Sequence, residues 1–238
     1  MLIDLHAHSS GISQCCRASY QTAIQAAVDA HLDGVVLTNH YHKDYVRDGD
    51  YAAFARRYTD EFCRAKAYGE TVGCKVFFGA EVTMERYNKA HVLIYGIDEA
   101  FIEANPTLFD LAQDEFYRLV KSAGCTVVQA HPYRGKPHLL DPRYLDGVEV
   151  NCHPLYGKSD FADMVQIAAE NRLLLTCGGD YHADTYRPTC GVYLPDHLQS
   201  GVELGRYLLT SPELTLCIHE PNTEKPFEYI WKRATEQA

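Results

Sequence analysis

No apolar stretch in this chain approaches the roughly 18 consecutive residues that a membrane helix requires, and no basic segment leads into an apolar run near its start. Positive charge is not in excess either. The 22 lysines and arginines face 32 aspartates and glutamates, a net charge of −10. That balance argues against tight, charge-driven binding to nucleic acid unless basic groups cluster or bound cations offset the acids. The nine cysteines are odd in number and show no CxxC spacing. Cys125, Cys177 and Cys217 lie in apolar runs, where a free thiol packs as a small hydrophobe, so the cysteines read as reduced. Cys15 and Cys16 stand apart because they closely follow a histidine pair. Internal repeats, low-complexity tracts and Pro/Gly/Ser-rich linkers are missing as well, which leaves no internal boundary. Together these absences predict a cytoplasmic protein of one domain over residues 1–238. Small anionic substrates remain allowed, and neither a membrane nor a stable nucleic-acid complex is expected. A chain of 238 residues suits a single α/β barrel, which commonly runs to about 200–250 residues.

What is present is an alternation. Seven short runs, "LIDL", "GVVLT", "KVFFGAE", "HVLIYG", "TVVQA", "GVEVN" and "LLLTCGG", are β-branched or aromatic enough to be buried strands. Helical spacing separates them. Tyr20, Ile24, Ala27 and Val28 follow a candidate Ser19 cap, "DYAAFARRYTDEFCRAKAYG" reads as a long helix, and "TLFDLAQDEFYRLVKSAG" as another. Asp160 is placed to cap a further helix through Phe161, Val165 and Ala168. Strands alternating with helices imply parallel strands joined by right-handed crossovers, a series that closes into a barrel. After Gly191 the pattern weakens: "LGRYLL" looks helical and "LTLCI" extended, and neither is assigned.

The polar residues fall at the ends of those runs. His6 and His8 follow the first, His40 ends "VVLTNH", Glu81 ends "FFGAE", His91 begins "HVLIYG", and His131 ends "VVQAH". Glu149 and Asn151 lie on "VEVN", and Asp180 and His182 follow "LLLTCGG". In a parallel barrel the C-terminal strand ends share one rim, so positions scattered in sequence become one cluster. Imidazoles mixed with carboxylates suit Zn²⁺, Mn²⁺ or Fe²⁺ better than Mg²⁺ or Ca²⁺. Six histidines with Glu81 and Asp180 are too many for one tetrahedral ion, so two or three ions sharing a bridging carboxylate is the economical arrangement. His42 and His153 lie close to rim positions and suit orientation of a ligand or contact with substrate. His31, Asp29 and Asp33 read as solvated, and His138, His197 and His219 occur in irregular contexts.

Six ordered motifs, "DLHAH", "LTNH", "GAEV", "HVLIYGID", "AHPYR" and "GGDYHA", resemble those of the polymerase and histidinol phosphatase (PHP) family over Asp4 to about His182. The resemblance implies a distorted (β/α)7 TIM-like barrel of PHP type that acts as a metal-dependent phosphoesterase. Carried over, it implies that His6, His8, Glu81 and Asp180 hold one ion, His40 and His182 a second, and Glu81, His91 and His131 a third, with Glu81 bridging. Arg134 in "HPYR" resembles a rim position that grips a substrate phosphate. Two departures stand out. Relatives commonly carry a further His or Asp shortly after the HxH pair, where this chain reads "SGISQCC", leaving Ser13, Gln14 or Cys15 as replacements. Asn39 stands where relatives often show Asp.

The expected reaction is hydrolysis of a phosphoester by a metal-bridging hydroxide at the C-terminal rim, with Asp180, Glu81, Arg134 and His153 as catalytic residues. Protonation of the leaving oxygen falls to metal-bound water or to His153. Small phosphorylated molecules, nucleotides and short oligonucleotide ends all fit such a rim. Two rivals remain: a metal-dependent amidohydrolase, which also begins with HxH, and a metal-binding module without turnover. Asp4, on the same strand face as the histidine pair, is expected to orient one of those rings.

Overall fold

Buried β-branched and aromatic runs build the frame. The computed structural model describes residues 1–134, 138–154 and 159–233. All seven expected runs are strands of one sheet: β1 (Leu2–Ala7), β2 (Gly34–Leu37), β4 (Lys75–Met84), β5 (Ala90–Tyr95), β6 (Thr126–Gln129), β7 (Gly147–Asn151) and β8 (Leu174–Gly178). A two-residue β3 (His40–Tyr41) pairs with β4, and β9 (Gly191–Tyr193), β10 (Glu213–Ile218) and β11 (Phe227–Lys232) extend the same sheet beyond β1. The order is β11, β10, β9, β1, β2, β4, β5, β6, β7, β8. "LTLCI" is thus a strand, and "LGRYLL" lies in a helix, Gly201–Thr210.

Two features depart from an all-parallel barrel, and both shape the rim. First, β5 runs antiparallel to β4 and to β6. Its N-terminal end therefore lies with the C-terminal ends of its neighbours, which is why His91 begins its run while the other polar residues end theirs. Second, the edge of β1 is shared. Its base pairs antiparallel with β9 (Ile3 opposite Val192), while Ala7 bridges in parallel to Tyr181, just beyond β8. The His8 amide donates to the Tyr181 carbonyl and the Tyr181 amide to the His6 carbonyl. Closure is thus made at the rim, and it sets Asp180 and His182 beside His6 and His8.

Helices α1 (Tyr20–Asp29), α2 (Tyr51–Val72) and α5 (Phe161–Asn171) fall where helical spacing puts them. The Ser19 and Asp50 side chains accept amides of their first turns, whereas Asp160 occupies the cap position of α5 without a side-chain bond. A short α3 (Glu99–Ala104) precedes the stretch expected as one helix from Thr107 to Gly124, which is instead broken. Leu108–Asp110 forms a single 3₁₀ turn, Leu111 and Ala112 are extended, and α4 runs only over Gln113–Ser122. The break is built in: Phe109 is fully buried, and Glu115 reaches back to the Ala112 amide, holding that residue at the cap. No helix among the described residues is long and apolar enough to cross a membrane.

Candidate metal centre

The register delivers the side chains. His40 on β3 sits directly opposite Glu81 on β4, so the two side chains share a face. His91 opposes Thr83 and lies diagonally across from Glu81 on that face. Two further residues bend inward at strained positions. His131 (φ 28°) and Asp180 (φ 48°) both occupy positive φ, a region that non-glycine residues adopt at a cost of about 1–3 kcal/mol and that concentrates at functional sites. The structure brings together all eight residues expected to ligate metal. Glu81 and Asp180 are wholly buried, and around them His6, His8, His40, His91, His131 and His182 converge.

Glu81 divides its oxygens. Oε1 lies 2.8 Å from His91 Nδ1, 2.9 Å from His131 Nε2 and 3.5 Å from His6 Nε2, while Oε2 lies 2.5 Å from His40 Nδ1 and 3.5 Å from His8 Nε2. Asp180 Oδ1 lies 3.2 Å from His8 Nε2, 3.4 Å from His6 Nε2 and 3.2 Å from His182 Nδ1. Among the described residues four groups of donors lie close enough to hold an ion: His6, His8 and Asp180; His8, His40 and His182; His6, Glu81 and His131; and His40, Glu81 and His91. The members of the expected third set meet at one atom, with His91 Nδ1 and His131 Nε2 at 2.8 and 2.9 Å from Glu81 Oε1.

Hydrogen-bond partners assign the tautomers. The Ser9 amide donates to Asn39 Oδ1 at 2.7 Å, which fixes that atom as the carbonyl oxygen. Ser13 Oγ donates to the same oxygen at 2.9 Å, so it must accept from His8 Nδ1 at 3.1 Å. His6 Nδ1 likewise donates to the Glu149 carboxylate at 2.9 and 3.0 Å. Both rings therefore turn Nε2 inward, and those two nitrogens face each other at 3.0 Å. Burial opposes a charged His6, but Glu149, Asp180 and Glu81 outweigh it, so in the metal-free protein a proton on His6 lies between the two nitrogens, in the place a cation would take. Glu81 Oε2 and Asp180 Oδ1 are buried with only imidazole nitrogens around them, so in the metal-free protein protons alone hold these atoms together. Buried carboxylate oxygens ringed by inward-facing imidazole nitrogens fit divalent cations.

Sequence reasoning misplaced part of the surrounding shell. Asp4 does not orient an imidazole: Oδ1 accepts the backbone amides of His6 and Gly179, tying β1 to the segment after β8. Glu149 on β7 orients His6 instead, and an acid inside a buried strand was the available signal. Asn39 keeps its acceptor role without charge, and the acid is supplied from α2. Asn39 Nδ2 donates to Ser9 Oγ, and Ser9 Oγ donates to Glu61 Oε1 at 2.9 Å. Glu61 is 4% exposed and lies on the apolar helix face with Tyr58, Phe62 and Ala65. Gly11 makes room for it, since a Cβ there would fall 2.1 Å from Glu61 Oε1. Ser13→Ala should leave the fold intact yet lower metal affinity roughly 10–100-fold, the usual cost of losing an outer partner of a ligand. Titration of metal-free variant and parent with Zn²⁺ checks this, and equal affinities would show that Ser13 does not hold His8.

Without cations, protons balance the inner acids. Burial opposes a charged His40, but Glu81 overrides it and raises the ring to about 9. Burial is likewise outweighed at His182, where Asp180 raises the ring to about 10. Cations and protons therefore compete for these rings. Because both folded-state pKa values lie above the ordinary 6.5, metal must displace protons at neutral pH. Affinity should rise with pH by roughly tenfold per unit for each proton released, flattening once the rings are already neutral. Metal titrations at successive pH values between about 6 and 9 would read this slope, and a flat profile would contradict it.

The remaining expected residues sit at the rim. Arg134 Nη1 pairs with Asp180 Oδ2 at 2.8 Å. His153 is buried, ring-to-ring with Tyr186 at 4.7 Å, and burial lowers it to about 4. His42 caps the turn after β3 by accepting the Asp44 amide and joins none of the four donor groups. Of the loop candidates, Ser13 is turned inward as described and Gln14 is exposed. Cys15 lies within hydrogen-bonding reach of His40 and His182; burial opposes ionisation of its thiol, but those rings lower it to about 6. A cavity of about 390 Å³ opens beside the cluster, lined by Lys89, His91, Gln129, His131, Arg134 and His138.

No protein-family model and no curated protein matches the sequence. Solved structures do match. A two-domain protein from Bacteroides vulgatus, containing a predicted PHP-like metal-dependent phosphoesterase, superposes with a TM-score of 0.66 at 16% identity. The match covers 92% of this chain and 65% of that one, so this chain spans less than two thirds of that protein. An amidohydrolase from Chromobacterium violaceum, solved with bound sulfate and no metal, gives a TM-score of 0.57 at 17% identity, covering 87% of this chain and 97% of that one. A lesion-specific endonuclease from Pyrococcus furiosus gives 0.54 at 14% identity, covering 94% and 53% respectively. Likeness at these identities speaks for the fold, and it agrees with the strand order and the rim closure: the chain has a PHP-type fold, a distorted TIM-like barrel.

Proposed function

We propose that the chain is a metal-dependent phosphoesterase of the PHP family, hydrolysing a small phosphorylated substrate at a cluster of two or three divalent cations. One observation carries the reading: the buried Glu81 carboxylate presents each oxygen to a different set of imidazoles, as a bridging ligand does. Zn²⁺, Mn²⁺ or Fe²⁺ suits the donor set, with His6, His8, His40, Glu81, His91, His131, Asp180 and His182 as ligands. Bound there, such cations supply Lewis acidity and lower the pKa of water.

The protein's own groups do the rest. Glu149 and Ser13 hold His6 and His8 with Nε2 directed inward. Arg134, about a third exposed, lines the cavity from the Asp180 side, and its guanidinium is assigned to the phosphoryl oxygens. His153, neutral at physiological pH, is assigned to orienting substrate rather than to delivering a proton to the leaving oxygen. The cavity's size admits a phosphomonoester or nucleotide.

The test combines metal analysis of protein purified without chelator with phosphate release from phosphomonoesters, nucleotides and short oligonucleotide ends, Mn²⁺ or Zn²⁺ being added in turn. At least about two ions per chain are expected, with turnover lost in Asp180→Ala and His6→Ala. Hydrolysis of an amide or lactone panel without phosphate release would favour the amidohydrolase reading. A single ion without turnover would favour a binding module.

A further inference from the structure

We propose that Glu61, on the buried face of α2, is a positioning residue for the metal centre: acting through Ser9, Asn39 and Ser13, it fixes His8 and His40 and tightens the hold on their ion. The inference rests on the reading of the cluster as a metal centre. It gives a helix outside the barrel a share in tuning that centre.

A carboxylate between Tyr58 and Phe62 on a buried helix face is costly unless its oxygens are hydrogen-bonded. Glu61 Oε1 accepts from Ser9 Oγ at 2.9 Å, and Oε2 pairs at 3.3 Å with Arg64, whose side chain is mostly exposed. The loop after β1 folds over this carboxylate. The Ser13 amide donates to the Ser9 carbonyl at 3.0 Å, which sets both serine hydroxyls beside Asn39, and Gly11 passes too close to Glu61 for any Cβ.

The bonds along the path all run one way. A carboxylate only accepts, so the Ser9 hydroxyl gives its single proton to Glu61 and accepts from Asn39 Nδ2 at 3.0 Å. Asn39 Oδ1 takes the Ser13 proton at 2.9 Å, and Ser13 Oγ then accepts from both His8 Nδ1 and the His40 amide. Two ligands of one donor group, His8 and His40, thus hang on a single oxygen. The other acceptor within reach of the Ser9 hydroxyl is Asn39 Oδ1, at 3.4 Å. Without the Glu61 charge the Ser9 proton turns there, crowds the acceptor that Ser13 needs, and loosens the bond to His8. Hydrogen bonds in a chain also polarise one another, so a charge at the far end makes the inward His8 Nε2 a better donor to metal.

The test reads metal binding, not turnover. In Zn²⁺ titrations of metal-free protein, Glu61→Gln, which keeps the shape and removes the charge, should bind roughly tenfold more weakly than the parent. Ser9→Ala should lose about as much, and the double variant no more than either, because both changes break one path. Arg64→Ala, which removes only the exposed partner, should bind as the parent does. In the Zn²⁺-loaded protein the His8 ring N–H proton, identified by its change in Ser13→Ala, should move upfield in Glu61→Gln in the proton NMR spectrum. The His6 ring proton, held by Glu149, should stay in place. Parent-like affinity in either single variant, additive losses in the double, an equal loss in Arg64→Ala, or an unmoved His8 proton overturns the proposal. Should Glu61→Gln not fold, parent-like affinity in Ser9→Ala still overturns it. A parent that binds no Zn²⁺ overturns the metal-centre reading as well, whereas tight binding that Glu61→Gln leaves intact overturns this proposal alone.

Discussion

Glu81→Gln should release metal and reduce phosphoester turnover by roughly 10³-fold or more, the equivalent of several kcal/mol of transition-state stabilisation. Both carboxylate oxygens face imidazoles, and an amide would keep the shape while replacing one acceptor oxygen with a donor. A second signature separates loss of this charge from misfolding. In metal-free protein Glu81 raises His40 to about 9, although burial pulls the other way. A ring whose folded pKa exceeds its unfolded value stabilises the fold fully below the unfolded pKa, and that stabilisation is lost as pH rises through the folded one. The variant should therefore melt below the parent near pH 6, by on the order of 3 kcal/mol for a buried pair that has lost one partner. The difference should shrink as pH passes about 9. Thermal melts in chelator across that range check it, and a pH-independent difference would point to simple misfolding.

Gly178→Ala should cost about 3 kcal/mol of stability and disturb metal binding together, because this glycine is where β8 meets β1. A Cβ there would fall 2.4 Å from His6 Cβ, 3.0 Å from the His6 amide nitrogen and 2.8 Å from Glu149 Oε1. The first two belong to a buried strand that cannot yield, and the third is the carboxylate that fixes the His6 ring. Urea unfolding and metal analysis of the variant read both effects. Native-like stability with a full complement of metal would show that the strands tolerate a wider gap than their packing indicates.

Much of this was legible before any coordinates. Strand character is a local property, and each of the seven runs carried enough β-branched and aromatic side chains to be read singly. Histidines and acids at run ends were equally visible, so every candidate ligand was in hand. The broken stretch from Thr107 to Gly124 was not. Its helical spacing continues through Leu108 and Leu111, and only burial of Phe109 and the Glu115 contact to Ala112 stop the helix at Gln113. The outer partners divided in the same way. Glu149 announced itself as an acid in an apolar strand, whereas Glu61 reaches the site only through Ser9 and Asn39, a path spanning three separate segments.

By itself, then, the sequence determined the strands, the residue types at their ends and the chemistry those types permit, because propensity and donor identity belong to single residues and their near neighbours. Only the tertiary structure decided that β5 runs backwards and so carries His91 to the rim, and that the segment after β8 closes on β1 and so sets Asp180 against His6 and His8. It also decided that His6 and His8 turn Nε2 inward, and that Ser13 holds His8 from the loop after β1. Those are relations between residues far apart in the chain, fixed by strand pairing and buried hydrogen bonds, and no local pattern encodes them.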